Sequence, residues 1–245
     1  MKLTAQQVYD RLRNDDNLLD IHGQINFQLG EIAIIVKQKD VVGNIMQEWL
    51  EGWMIQNGIE YAPSENTQMP PDFYLNPDDL TKDLLEVKAF NYDATPGFDI
   101  ADFKSFQNEI IEQPWMLHTD YLIFGYHMGE DGIVRIKNVW LKKVWEICRP
   151  MDEYPLNLQV KNKVINKIRP AKWYATGNRS KFRIFESLED FVSAIEETVF
   201  KDPNTRAYGG TWLKRFKDAY KKKYDVVLEI PRWTDIEDKY ILKKK

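Results

Sequence analysis

The chain has 245 residues, of which 43% are hydrophobic and 29% charged, with a single cysteine. That composition argues against a disordered chain, the one cysteine rules out a disulfide framework, and no apolar run reaches the roughly 18 residues of a membrane span. The formal charge of −4 conceals a segregation: residues 1–134 hold 8 Lys+Arg against 23 Asp+Glu, a net of −15, and residues 135–245 hold 26 against 15, a net of +11. An acidic first part suits carboxylates gathered around a metal, and a basic second part suits contact with phosphates. Chance segregation on a solvated surface is the plainer alternative.

The first segment, MKLTAQQVYDRLRNDD, is too polar for a secretory signal, which points to a cytoplasmic protein. Thr4 is placed to cap a helix running to about Asn14. Alternating residues 20–29 and 31–38, with Gly30 between them, predict an antiparallel hairpin. Asp40 precedes a helical stretch over 41–57 that Gly58 ends, with Val42, Ile45, Met46, Trp49, Leu50 and Trp53 at helical spacing. After a Pro-rich loop, short strands are expected at 72–75 and 84–90, then a helix at 100–113 stopped by Pro114. The run YLIFGY at 121–126 reads as a buried central strand, paired with 134–139 across the Gly129–Gly132 turn. In the basic part a short helix is expected at 141–148 and one strand at 158–168. A loop at 176–180, a strand at 182–185, a helix at 188–200 led by Ser187 and a last helix at 211–224 complete the chain.

The chemistry concentrates in Pro71-Asp72 and Glu86-Val87-Lys88, a PD…(D/E)xK pattern. Residues i and i+2 of a strand share a face, so Glu86 and Lys88 point together and Asp72 can converge on them from the neighbouring strand. Two carboxylates, the Val87 carbonyl and water make an oxygen-rich set suited to Mg²⁺, which binds through one or two carboxylates plus substrate phosphate. Such an ion stabilises charge on a phosphoryl oxygen and acidifies water, while Lys88 positions the attacking water. The pattern is degenerate, and an exposed hairpin with a Glu/Lys pair matches it equally well. Glu48, on the helix at 41–57, is either a further ligand or part of a solvated helix face.

Beyond the motif, the order of features resembles a type II restriction endonuclease of the PD-(D/E)xK superfamily, in its EcoRV-like branch. The features are an N-terminal hairpin, a helix bearing Glu48, a loop Asn66-Thr67-Gln68-Met69 before Pro71-Asp72, and the Glu86-Val87-Lys88 strand. Ser105-Phe106 on a helix, the strand 121–126, Lys172-Trp173 with Gly177-Asn178-Arg179-Ser180, and Ile184–Phe191 follow. The resemblance spans about residues 7–200 and implies an α/β fold: a PD-(D/E)xK restriction-endonuclease-like core, its mixed central sheet flanked by helices. It implies one endonuclease domain over 1–245, with an acidic catalytic part to about 134 and a basic recognition part after it. It implies Asp72, Glu86, Lys88 and Glu48 as catalytic residues, and Asp72, Glu86, Val87 and Glu48 around Mg²⁺. Gly177, Asn178, Arg179, Ser180 and Lys181 would meet the major groove and Gln68 would approach the minor groove. The partners implied are double-stranded DNA, a second copy of the chain in a homodimer and a DNA methyltransferase of the same bacterial system. The products implied are blunt ends with 5′-phosphates.

Two departures stand out. Glu86 occupies a position where close relatives carry Asp, and both acids ligate Mg²⁺. Arg179 replaces small polar residues, so the base sequence read is not transferable; its guanidinium can pair with guanine O6 and N7, which points to a G·C-containing site, or it can touch phosphates alone. His22, His118 and His127 are too scattered for a zinc site, Cys148 reads as a buried hydrophobe, and Gly209-Gly210 lacks the ending of a phosphate loop. The basic stripe of 211–224 either tracks DNA or is simply solvated, with Trp212, Phe216 and Tyr220 inward. A repair or nicking nuclease on the same core, and a non-catalytic DNA-binding protein, are the alternative functions.

Overall fold

A computed structural model describes residues 1–65, 69–174 and 180–242. Thr4 caps helix α1 (Ala5–Asp10) through a capping box with Gln7, and the helix continues as a π-helical turn, Arg11–Asp15. Strands β1 (His22–Gln24), β2 (Asn26–Leu29) and β3 (Ile32–Ile35) follow, the β2–β3 turn using Gly30 at φ +59°. Helix α2 (Val42–Gln56) ends before Gly58, whose φ of +62° suits the residue past a helix terminus. The chain then forms β4 (Ala62–Pro63), β5 (Phe73–Tyr74), β6 (Leu84–Asn91) and β7 (Ala101–Asp102). Asp102 caps α3 (Phe103–Glu112), and β8 (Asp120–Met128), β9 (Ile133–Lys143), β10 (Leu158–Lys161) and β11 (Val164–Ile168) come next. Ser187 caps α4 (Leu188–Lys201), which precedes α5 (Arg206–Tyr224) and α6 (Trp233–Ile236).

The chain forms two compact units whose segments interleave. The first comprises residues 1–65, 71–98 and 120–142, and the second residues 66–70, 99–119 and 143–245. The charge asymmetry persists: the first holds 10 Lys+Arg and 19 Asp+Glu, a net of −9, the second 24 and 19, a net of +5. The first unit is built on a six-stranded sheet in the order β1-β9-β8-β6-β5-β4, in which β6 and β8 are parallel and β5–β6 antiparallel. Leu85 and Val87 join Leu122, Phe124 and Tyr126 of β8 in one core with Met46, Leu50 and Trp53 of α2 and Val8 and Leu12 of the N-terminal helix. The β2–β3 hairpin forms a separate two-stranded sheet with every residue exposed. The second unit holds the β10-β11-β7 sheet, α3 and the C-terminal helices, with Trp212 and Phe216 of α5 fully buried.

Several expected elements take a different form. Residues 158–168 are two strands, because Asn162 and Lys163 adopt left-handed conformations (φ 51° and 63°) that turn the chain back on itself. The helix expected at 141–148 is the end of β9 followed by a 3₁₀ turn, Val144–Ile147. Residues 182–185 form no strand; Phe182 makes one isolated bridge to Ile241. The last helix begins five residues earlier than expected, at Arg206, and runs through Gly209, where a side chain would meet the Phe200 ring at 2.9 Å.

Candidate active site

The alternation of β6 decides the site. Leu85 and Val87 face the helix-covered core, so Glu86 and Lys88 emerge on the opposite face of the sheet. Asp72 lies one residue before β5 and turns its carboxylate onto β6. Its N–H donates to the Leu85 carbonyl at 3.1 Å, and its Oδ2 accepts from the Val87 N–H at 2.8 Å. The carbonyl of a strand residue lies on the same edge as its own N–H, so Val87 offers its oxygen on the Asp72 side. Lys88 Nζ sits 2.5 Å from Glu86 Oε1.

Burial dominates the electrostatics. Glu86 is only 4% exposed, and desolvation pushes its carboxyl up to about 7; Lys88 opposes that shift and the Asp72 charge adds to it. Asp72 is raised for the same primary reason, against the pull of the Val87 N–H and Lys88. Glu86 Oε2 is a buried acceptor without a hydrogen-bond partner. An orphaned, desolvated carboxylate oxygen beside a second carboxylate and a main-chain carbonyl is a hard-oxygen set that fits a divalent cation. Asp72 and Glu86 would hold it, with Val87 as a third donor.

Glu48 is not brought into this group. It is exposed on α2, which packs on the Leu85–Val87 face, and no cluster of three His, Cys, Asp or Glu residues able to hold a metal forms among the described residues. Amphipathic spacing located the helix, but Glu48 lies on its solvated side. Gln68, Gly177, Asn178 and Arg179 lie outside the described residues. Ser180 and Lys181 belong to the second unit: Ser180 Oγ donates to the Phe182 carbonyl at 2.6 Å, and Lys181 pairs with Asp152. His22 lies on β1, His127 pairs with Asp93 at 2.5 Å, and His118 is bonded to the Tyr220 hydroxyl at 2.9 Å. Cys148 is buried, and desolvation pushes its thiol up, away from the reactive thiolate.

Sequence reasoning missed the aromatic stack at the end of the strand that carries Glu86 and Lys88. Trp140 lies against Phe90 and Tyr92, with ring centroids 5.9 and 6.1 Å away, above Gly125. A side chain at Gly125 would meet the Tyr92 and Trp140 rings at 2.8–3.0 Å. The only sequence signal was a glycine inside an otherwise large apolar strand.

A family model described as NgoBV restriction endonuclease matches residues 2–240. The chain belongs to the NgoBV restriction endonuclease family. Members similar to it include the type II restriction enzyme NlaIV of Neisseria lactamica, 57% identical over 245 residues and the whole of both chains. The type II restriction enzyme NgoBV of Neisseria gonorrhoeae is 53% identical over 161 residues, which is 66% of this chain and 91% of that enzyme. A solved NlaIV restriction endonuclease structure superposes with a TM-score of 0.96, covering 99% of this chain and 98% of that one. This chain is therefore a type II restriction endonuclease with a PD-(D/E)xK-like fold, an enzyme that cuts DNA at a specific sequence. Among the described residues no helix is long and apolar enough to cross a membrane.

Proposed function

We propose that the enzyme hydrolyses phosphodiester bonds of double-stranded DNA with Mg²⁺ at the Asp72–Glu86–Lys88 site. The single observation that carries this reading is the buried, unpartnered Glu86 Oε2 next to Asp72 and Lys88. A divalent cation bound there supplies Lewis-acid stabilisation of the charge that grows on the phosphoryl and leaving oxygens. The chain's own groups do the rest. Asp72 is oriented by the Val87 N–H, which leaves its second oxygen for the cation. Glu86 meets Lys88 through Oε1 and would hold the cation through Oε2. Lys88 donates a hydrogen bond that orients the attacking water in line with the scissile bond, and its charge balances the two acids. Glu48 is left at most a supporting role.

The finer reading is a short, palindromic site containing G·C pairs, cut to blunt ends with 5′-phosphates, with a methyltransferase protecting the host DNA. Gln68 and Gly177–Lys181 would make the DNA contacts. One chain supplies one such site, so cutting both strands calls for a two-fold homodimer. The β2–β3 hairpin supports this: Phe27, Leu29, Ile32 and Ile34 share one face and are 52–74% exposed, together on the order of 500 Å² of apolar surface, as much as the largest patch a monomer usually leaves in water. Two copies would bury the roughly 1,000 Å² expected of a specific interface. The stretch from 14 to 36 contains no Lys or Arg, so the patch suits protein rather than DNA.

The test is digestion of a sequenced plasmid with Mg²⁺ and with EDTA, followed by end mapping. Discrete fragments with Mg²⁺ alone, lost in Lys88→Ala, are expected. Cleavage that ignores the metal, or survives in Lys88→Ala, would overturn the assignment.

A further inference from the structure

The C-terminal residues 233–242 are bound onto residues 180–186 by an unusual concentration of contacts, and neither segment is part of the metal site. Phe182 and Ile241 form an antiparallel bridge, flanked by Arg183 N–H to the Tyr240 carbonyl (3.0 Å) and Leu242 N–H to the Lys181 carbonyl (2.8 Å). Tyr240 is fully buried, and its hydroxyl donates to Asp190 Oδ2 and accepts from the Glu186 N–H at 3.3 Å. Lys239 links the same Asp190 (2.7 Å) to Glu186 (3.0 Å). The Trp233 and Tyr240 rings stack at 5.8 Å and both pack against Phe185. Farther back, Ala171 N–H reaches the Ile147 carbonyl (2.7 Å) and Phe185 N–H the Cys148 carbonyl (3.0 Å), so Ala171 and Phe185 are pinned to adjacent residues.

Lys181 and Arg183 flank the bridged Phe182, and each is tied to the C-terminal segment through its backbone. Lys181 is 60% and Arg183 46% exposed there. Lys181 pairs with Asp152, and Arg183 with Glu186 at 3.6 Å. Exposed pairs of this kind are marginal in water and yield readily to a phosphate, which offers the same cations more charge.

We propose that the C-terminal segment is a positioning strap: its backbone fixes the backbone of Lys181 and Arg183, which serve as contacts to the phosphate backbone of duplex DNA, Arg183 being a contact additional to those expected at Lys181. The proposal rests on the reading that this loop meets DNA. The strap sets where two cations stand, and Asp190, Glu186 and Tyr240 act through it rather than on the substrate. Removing the Leu242 N–H deletes the bond to the Lys181 carbonyl, and removing the Tyr240 hydroxyl loosens the residue whose carbonyl holds the Arg183 N–H; both cations stay in the molecule.

The experiment uses the full chain and two probes: a duplex that the enzyme cuts once and an uncut duplex of the same length. Binding is measured with Ca²⁺ across a salt series and cleavage with Mg²⁺. Lys181→Ala and Arg183→Ala should each weaken binding to both duplexes and lower the salt slope by about 1. Leu242→Pro and Tyr240→Phe should raise KM about tenfold at unchanged kcat, as expected when binding groups are displaced but not deleted. A merely structural role would instead lower kcat with the folded fraction and leave KM alone, and that result overturns the strap. Unchanged binding in Lys181→Ala and Arg183→Ala overturns the DNA contact itself. Weakened binding in those two with wild-type KM in both strap variants overturns the strap alone and leaves the loop reading standing.

Discussion

Replacing Glu86 by Gln should stabilise the metal-free enzyme, and only above mildly acidic pH. Burial raises Glu86 from 4.5 to about 7, so the folded state holds this proton more tightly than the unfolded chain does. Below about pH 4.5 the group is neutral in both states and costs nothing. As pH rises toward 7 the unfolded chain releases the proton and the folded chain resists, so stability falls; above 7 the penalty is constant. The full penalty is about 3 kcal/mol, and about 2.5 kcal/mol of it develops between pH 5 and pH 8. Gln preserves the shape and removes the titration. Urea unfolding of both proteins in EDTA at pH 5, 6, 7 and 8 measures it: the gap should widen in favour of Glu86→Gln, then shrink on adding Mg²⁺, which only the wild type binds well. Parallel stability curves would refute the claim that Glu86 is a desolvated, uncompensated acid.

Other substitutions probe separate features. Lys88→Ala removes the cation that holds Glu86 down; plasmid cleavage should fall by roughly 10³-fold at pH 7.5, with part of the loss recovered at pH 9. Leu29→Asp with Ile32→Asp should convert a dimer to a monomer in sedimentation experiments without lowering the thermal midpoint, because neither side chain contributes to the core. Gly125→Ala should lower stability by about 2 kcal/mol in urea unfolding, since the added methyl meets the Tyr92 and Trp140 rings.

What the sequence discloses is what short-range physics controls. The caps at Thr4 and Ser187 are in place because a side-chain oxygen and a backbone N–H lie within one turn. The Glu86–Lys88 pair is legible because strand alternation is strict. The pairing of β1 with β9 and of Phe182 with Ile241 is not, since nothing local names a distant partner. The hairpin at Ile32–Ile35 is legible as a hairpin, but nothing local tells that its apolar residues stay exposed. Glu48 shows a further limit, because helical spacing fixes a face but not what that face meets.

On the proposed reading, binding of metal and of DNA should be interdependent. The unit that carries Asp72 and Glu86 is net −9, whereas the unit that carries Lys181, Arg183 and the exposed lysines of α5 is net +5. Without a divalent cation the acids repel a phosphate, so binding should rest on the basic surface and discriminate poorly between cognate and other DNA. A cation between Asp72 and Glu86 reverses the local sign and adds contacts that only a correctly seated scissile phosphate can make. Mobility shifts with Ca²⁺ and with EDTA should therefore differ far more for the cut duplex than for the uncut one. The difference should vanish in Glu86→Gln and persist in Lys181→Ala, because the first loses the cation and the second only a phosphate contact. Equal metal dependence for both duplexes would mean that the acidic site takes no part in discrimination.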